Sequence, residues 1–384
     1  MTRRAFIHVQ HLLGTGHAVR AVAIGKALAR EGVAVRLATG NLLPPTLDTS
    51  GLEVIALPPV RALDASFRTL VSPDGSPLPA GFEETRRQAL LAAFLTEPVD
   101  LLLTETYPFG RRQFAHELEP LLETARALPR RPLIAASIRD ILVRKKDPAK
   151  EAWMAERALA HYDRVLVHSD PAFTRLEDSF PFADRVAHLV RYTGYVGGGA
   201  RPEPPAGDGA DEVIVSCGGG AVARALLEAA LGARELSQQA GDCRWRLLVG
   251  HDLPDPEFSA LAAAASAGVL VERARRDFPG LLPRARLSVS QAGYNTVLDV
   301  LAAGVRAVLV PFAQGDETEQ TQRAEALARH GRAVMVPEAG LTAQGLAAAV
   351  DAALSRPVAQ ADVAMNGAAE SARQLLTDLE EIRR

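Results

Sequence analysis

Cysteine is almost absent from this chain: Cys217 and Cys243 are the only two in 384 residues. That scarcity excludes a disulfide framework and a four-cysteine zinc site. Cys217 borders a glycine run, where a small buried residue at a strand end explains it better than a nucleophile does. Long apolar runs are missing too. None approaches the ~20 residues that span a bilayer as a helix. The opening stretch MTRRAFIHVQHLLGTGHAV is interrupted by His8, Gln10 and His11 before it reaches signal-peptide length. A formal net charge of −3 gives no global attraction to nucleic acid. No Asp-x-Asp pair occurs, so a familiar metal-and-diphosphate signature is lacking. These absences lead us to expect a cytoplasmic protein without a nucleic-acid partner, touching a membrane only from its inner face if at all.

What is present is core. With 48% hydrophobic and 23% charged residues, the chain is globular, and its length exceeds what one typical core supports. Short apolar strands alternate with amphipathic helices along both halves: Ala5 to Val9, Ala34 to Ala38, Glu53 to Leu57, Asp100 to Thr104, Leu133 to Ser137 and Asp163 to His168, then Glu212 to Ser216, Trp245 to Val249, Gly268 to Val271 and Leu287 to Ser290. Between the halves lies GGGARPEPPAGDG, Gly197 to Gly209, a composition that fits a linker. The expected fold class is α/β, with two Rossmann-like, doubly wound domains facing a cleft. Domain one covers 1–196, a linker covers 197–210, domain two covers 211–360, and a terminal helical segment covers 361–384.

The most informative stretch is Leu287 to Gln320, a strand-helix-strand unit with Gln291-Ala292-Gly293 at the strand's carboxyl end. Backbone N–H groups opening its helix lack intrahelical partners and sit at the positive end of the dipole, which suits a phosphate. Asp299 lies about one turn further on and can accept from ribose hydroxyls. A dipole-complementing role for Asp299 and a plain turn role for Gly293 are the alternatives. Upstream, Cys217 is followed by Gly218, Gly219 and Gly220, glycines that let a diphosphate approach backbone closely.

This combination closely resembles the donor-binding motif of GT-B glycosyltransferases, especially the family 28 N-acetylglucosaminyltransferases of peptidoglycan synthesis: the small-residue turn, Thr296, Asp299, Ala302-Ala303-Gly304, Pro311-Phe312 and the pair Glu319-Gln320. The resemblance implies a bacterial enzyme with a donor site formed by Gly218, Gly219, Gly220, Gly293, Asn295, Thr296 and Asp299. Glu319 and Gln320 would meet the donor sugar, and Phe278 would border the base, although a core phenylalanine is the plainer reading there. Uridine is the implied base. The last helix is implied to cross back to the first domain.

In the first half, Gly14-Thr15-Gly16-His17 joins the first strand to the first helix. The third glycine of a dinucleotide fingerprint is missing, Val19 standing in its place, which argues against a nicotinamide cofactor. His17, at a helix start, would be neutral and able to accept a proton. Glu105, at the carboxyl end of its strand, would be the base itself or would orient His17. A capping histidine and a solvated carboxylate are the alternatives. Gly14, Gly16, Arg20 and Arg139 complete an expected acceptor side, and Gly16-His17-x-x-Arg20 also resembles related nucleotide-sugar hydrolases. The basic run Arg144-Lys145-Lys146 is a solvated surface or a contact for acceptor phosphates.

The expected function is therefore sugar transfer from a nucleotide diphosphate, of hexosyl or N-acetylhexosaminyl type, to a hydroxyl acceptor. It would use no metal and no cofactor, and it would invert the anomeric centre. The acceptor is open, a lipid-linked or envelope glycan being one candidate. A nucleotide-sugar hydrolase and a non-catalytic nucleotide-sugar-binding protein fit the same residues.

Overall fold

The computed structural model describes residues 2–12, 14–45, 47–64, 67, 69–197, 203–217, 224–313, 318–357 and 363–382. The chain divides into two compact units, Met1–Gly198 with Ala364–Arg384, and Gly199–Val363.

In the first unit the strands are β1 (Arg4–Val9), β2 (Ala34–Thr39), β3 (Glu53–Ala56), a small antiparallel pair β4 (Arg61–Ala62) and β5 (Leu70–Val71), then β6 (Leu101–Glu105), β7 (Leu133–Arg139), β8 (Arg164–His168) and β9 (Val190–Tyr192). All but the small pair form one parallel sheet in the order β3-β2-β1-β6-β7-β8-β9. Its helices are α1 (Gly16–Arg30), α2 (Phe82–Leu95), α3 (Ala115–Ala127), α4 (Pro148–His161) and the single turn α5 (Ala183–Val186). A parallel sheet needs both faces covered, and β1 shows how its sequence meets that demand. Ala5, Ile7 and Val9 point into one core with Ile24 and Leu28 of α1, while Phe6 points into the other with Phe94 and Phe114.

The second unit repeats the plan with β10 (Val213–Ser216), α6 (Arg224–Leu236), β11 (Trp245–Val249), α7 (Asp255–Ala263), β12 (Val269–Arg273), α8 (Phe278–Leu281), β13 (Leu287–Ser290), α9 (Tyr294–Ala303), β14 (Ala307–Leu309), α10 (Glu319–Arg329), β15 (Val334–Met335) and α11 (Ala343–Ser355). Its six parallel strands run in the order β12-β11-β10-β13-β14-β15.

The last helix, α12 (Gly367–Ile382), belongs to the first unit. Ala372, Leu375 and Leu379 recur at helical spacing and enter the core shared with Ile24 and Leu28. Arg164 fixes its far end through Asp378 at 2.8 Å. The chain re-enters this unit by strand-like pairing, with the Tyr195 N–H donating to Ala364 O at 2.7 Å. Among the described residues no helix is long and apolar enough to cross a membrane.

The stretch whose composition suggested a linker is partly built into the second unit. Pro204 and Gly209 are buried. Gly209 has φ +80°, and a Cβ there would meet Leu281 O at 2.8 Å, which explains the glycine. Asp208 accepts from Arg246 Nη2 at 3.0 Å and from Arg275 Nη1 at 2.6 Å. Arg246 is itself buried in the sheet, with Nε on Glu212 at 2.6 Å and Nη1 on Glu272 at 2.8 Å. This network carries its own test. Arg246→Ala removes the main partner of buried Glu212 and leaves Asp208 on Arg275 alone, so it should destabilise the second unit by about 3–5 kcal/mol, the usual effect of removing one partner from a buried ion pair. Urea unfolding should show an early transition, whereas an unmoved midpoint would mean that water replaces the guanidinium without loss.

Candidate active site

Doubly wound sheets open a crevice beyond the strand carboxyl ends where strand order reverses. In the first sheet that reversal lies between β1 and β6. His17 sits in the first turn of α1, directly after β1, and Glu105 is the last residue of β6. Strand order therefore brings the two sequence candidates together, with His17 Nδ1 at 3.0 Å from Glu105 Oε1.

The Glu105 side chain is 1% exposed. A carboxylate so buried stays ionised only if donors surround it, and several do. Arg20 Nε reaches its oxygens at 3.1 and 3.3 Å, Arg20 Nη2 also lies on Oε1, Ser137 Oγ donates to Oε2 at 2.5 Å, and Thr106 Oγ1 donates to Oε1 at 3.2 Å. Burial raises the Glu105 pKa, but the Arg20 guanidinium and His17 outweigh it and hold the carboxyl well below its usual range. His17 and Arg20 can share this acceptor because residues three apart on a helix face the same side.

An ionised carboxylate only accepts hydrogen bonds, so Glu105 at 3.0 Å favours the Nδ1–H tautomer of His17 with the lone pair on Nε2, against the donor-only Arg20 Nη2 at 3.1 Å from the same nitrogen. Thr106 Oγ1 lies 3.0 Å from the same Nδ1. Burial lowers the His17 pKa to about 4 against the opposing pull of Glu105, leaving the ring neutral at pH 7. The side chain keeps 19% of its surface exposed, enough to be reached. The pair thus has the geometry that a base and an orienting carboxylate require.

Three further cations lie at this strand end. Arg139 closes β7 and is half-buried; Arg111 anchors Nε on Gln10 O at 3.2 Å. Burial and the Arg139 charge depress Arg111 to about 10 and also lower Lys145. Thr106 (φ 72°) and Arg111 (φ 60°) both occupy the left-handed region that side chains rarely adopt, the kind of outlier that clusters at functional loops. Gly14 is exposed, and a Cβ there would meet nothing within 4 Å, so neither packing nor backbone conformation demands this glycine. Gly16 opens α1 with no side-chain cap, leaving its first N–H groups available.

In the second sheet the reversal lies between β10 and β13, whose ends Ser216 and Ser290 are paired. Gly218, Gly219 and Gly220 follow β10 and lie outside the described residues. After β13, Gly293 is the N-cap of α9 at φ −62°, again with open space where a Cβ would point. Asn295 is exposed, Thr296 half-buried and Asp299 half-buried. No acidic residue falls in the first turn of α9. Asp299 is too far along to serve as a dipole complement, an effect confined to that turn.

Glu319 is buried at the start of α10, with Oε1 at 2.5 Å from Arg323 Nη2. Gln320 Oε1 accepts from the Phe312 N–H at 3.1 Å. Phe278 is half-buried at the start of α8. Burial pushes the Cys217 thiol up to about 12, as suits a packed residue rather than a nucleophile. Among the described residues no group of three or more His, Cys, Asp or Glu side chains is placed to hold a metal ion.

Sequence reasoning missed Ser137, Thr106, His168, Arg111 and Arg323. Arg323 donates Nη1 to Ala292 O at 2.7 Å and lies 5.6 Å from the Tyr294 ring, so it braces the turn before α9 from α10. Its readable signal was the i,i+4 spacing from Glu319.

Residues 213–379 match the glycosyltransferase family 28 C-terminal domain. Among curated relatives, the UDP-N-acetylglucosamine–N-acetylmuramyl-(pentapeptide) pyrophosphoryl-undecaprenol N-acetylglucosamine transferase of Phenylobacterium zucineum is 33% identical over 185 residues, 46% of this chain and 50% of that protein. Its counterpart in Lactiplantibacillus plantarum is 30% identical over 125 residues, 32% of this chain and 34% of that one. The chain thus spans a third to a half of the length of these relatives. Among solved structures, Acinetobacter baumannii MurG has a TM-score of 0.62 at 17% identity, covering 97% of this chain and 99% of that one. The calicheamicin glycosyltransferase CalG4 has a TM-score of 0.61 at 16% identity, covering 99% and 95%. The fold is GT-B.

Buried imidazoles set a pH dependence. Burial is the main force lowering His8 and His17 to about 4 and His168 to about 3, against ~6.5 for an unfolded histidine. Between about pH 6.5 and 4.5 the unfolded chain therefore binds protons that the native protein refuses, and stability must fall as pH falls. With three such groups the slope approaches about 4 kcal/mol per pH unit. Denaturant midpoints at pH 7, 5.5 and 4.5 check this; a flat profile would mean that these rings protonate freely in the fold.

Proposed function

We propose, for a chain whose residues 213–379 match the glycosyltransferase family 28 C-terminal domain, that it transfers a sugar from a nucleotide diphosphate, with uridine as the base, to a hydroxyl acceptor with inversion. The observation that carries the reading is the His17–Glu105 pair at the strand-order reversal of the first sheet, with Nδ1 3.0 Å from Oε1. His17 Nε2 takes the acceptor proton, the freed oxygen attacks the anomeric carbon from the face opposite the diphosphate, and the bond to the leaving oxygen breaks with its electrons on the nucleotide. Glu105 balances the imidazolium that forms, as a carboxylate behind a base does.

Asp299 takes the ribose hydroxyls, and the backbone N–H groups opening α9 face the diphosphate. Gly218, Gly219 and Gly220, which lie outside the described residues, are the sequence's candidates for a second backbone cradle. Fixed dipoles of this kind stabilise a departing diphosphate without a divalent ion or a cofactor. On the acceptor side, Arg111, Arg139 and Lys145 suit phosphate oxygens, and apolar surface is exposed by Leu42, whose carbonyl lies 3.0 Å from His11 Nε2, by Leu63, and by Phe67, whose ring lies 5.6 Å from the Arg111 guanidinium. Both features favour a lipid-linked diphosphate acceptor, bound at the inner face of a membrane, like that named for the curated relatives.

A screen of nucleotide sugars by titration calorimetry, followed by mass spectrometry of products with lipid-diphosphate and soluble acceptors, tests the reading. Diphosphate release without any acceptor would replace transfer by hydrolysis; tight binding without turnover would make the chain a binding protein. In the active pairing, His17→Ala should lower turnover about 10²–10⁴-fold with donor affinity retained. Joint collapse of affinity and turnover would place His17 in the donor site instead. Asp299→Ala should weaken donor binding by about 1–3 kcal/mol, the range for a hydrogen bond to a charged group, and an unchanged affinity would remove it from the site. Turnover should survive EDTA; loss restored by magnesium would refute the dipole account.

A further inference from the structure

Behind Glu105 the hydrogen bonds continue into the sheet. Ser137 is the cross-strand neighbour of Glu105 on β7, and its Oγ lies 2.5 Å from Glu105 Oε2 and 2.8 Å from His168 Nε2. His168, which closes β8, has Nδ1 2.8 Å from Thr193 Oγ1. Ser137 and His168 are both 0% exposed and Thr193 is 2% exposed. The mechanism above uses none of the three.

Proton counting orders this chain. Glu105 is ionised and can only accept, so the single Ser137 hydroxyl proton points at Oε2. Ser137 must then accept at its other side, which requires a proton on His168 Nε2. Burial keeps His168 neutral, its pKa lowered to about 3. Its Nδ1 is therefore unprotonated and accepts from the Thr193 hydroxyl at 2.8 Å, a proton that the Gly194 carbonyl 2.9 Å from the same oxygen shares. The opposite tautomer would set the Nε2 lone pair against a Ser137 oxygen whose only proton is committed to Glu105. The two histidines consequently hold opposite tautomers, His17 as Nδ1–H and His168 as Nε2–H.

We propose that Ser137 and His168 are positioning residues, a buried relay that fixes the rotamer of Glu105 so that Oε1 faces His17 Nδ1 and the base lone pair stays on Nε2. The proposal rests on the reading of His17 as base. Glu105 has two sides. Arg20, His17 and Thr106 draw on Oε1, with Arg20 Nε also 3.3 Å from Oε2. Ser137 is the hydroxyl that holds Oε2. Without it, Oε2 and His168 Nε2–H both lose a buried partner, and the carboxylate is free to turn wholly toward the Arg20 fork. His17 then loses the acceptor that selects its tautomer. The charged groups facing this chain, Arg20 and Arg111 around Glu105 and Arg20 beside His168, stay in place in such a variant.

Nitrogen-15 NMR of histidine-labelled protein at pH 7 reads the tautomers without any substrate. The expected spectrum shows His17 as Nδ1–H and His168 as Nε2–H, and Ser137→Ala should turn His17 into a mixture while Ser137→Thr, which keeps the hydroxyl, restores it. His168→Phe should act like Ser137→Ala, and His168→Gln, which keeps a donor toward Ser137, should be milder. With the active substrate pair, Ser137→Ala should lower kcat about tenfold to a hundredfold, as for a displaced catalytic group, with KM within about twofold. In a His17→Ala background the same change should have no further effect, because its action passes through His17. An unaltered His17 tautomer in both Ser137→Ala and His168→Phe overturns the relay. So does a kcat loss of equal size in the His17→Ala background, which would mark a structural role. A silent His17→Ala would instead sink the base reading, an outcome the tautomer spectra keep separate.

Discussion

A carboxylate charge buried at the end of the central strand pair governs the first unit. Glu105 remains ionised there because Arg20, His17, Thr106 and Ser137 converge on two oxygens. Each donor constrains a different element. Arg20 and His17 require α1 to begin at once after the β1 turn, and Thr106 requires the chain to turn sharply after β6, at φ 72°. Ser137 requires β7 to pair with β6 in one register, since a slip of one residue would send its hydroxyl to the opposite face. A misfolded arrangement of these elements leaves a desolvated charge without partners, costing several kcal/mol. The same charge that faces His17 thus selects the local topology.

The second unit solves a different problem. One of its buried charge networks sits away from the strand reversal, where Arg246, Glu212, Glu272 and Asp208 fasten the chain entering the unit to β10, β11 and β12. Around α9, the features are instead a glycine with open space at its Cβ position and a half-buried aspartate beyond the first turn. The turn before α9 is held from behind by α10, whose Arg323 donates to the Ala292 carbonyl.

Much of this was legible because parallel sheets write their plan plainly. Apolar runs between glycine-rich turns gave the strands, and the strand-end rule picked out His17 and Glu105 before either could be seen to touch. The relay was not legible for the same reason. Ser137 lies inside LIAASIR and His168 ends RVLVH, strands whose remaining residues are mostly apolar and buried, so single polar residues read there as tolerated exceptions. Their meaning depends on which strands are neighbours, and strand order is not written in any one segment. A weak signal did exist: Glu105, Ser137, His168 and Thr193 place a polar residue at or near the carboxyl end of four successive strands. The packed half of the glycine- and proline-rich stretch was hidden differently, because composition reports what cannot form a core and says nothing of a single aspartate that meets two arginines.

Opposed influences on His17 also explain why the orienting carboxylate needs such support. Burial makes the ring a weak base and Glu105 partly restores it. The first influence grows with dehydration, and so does the second, since the attraction between a forming imidazolium and a carboxylate at 3.0 Å strengthens as the local dielectric falls. When an acceptor covers the exposed part of His17, the outcome depends on whether Glu105 stays in line while water leaves. A carboxylate free to turn toward Arg20 would lose that contest, and the proton would have nowhere stable to go. Fixing Oε2 from behind would leave Oε1 in front of Nδ1, so that a base at His17 strengthens at the moment it is enclosed.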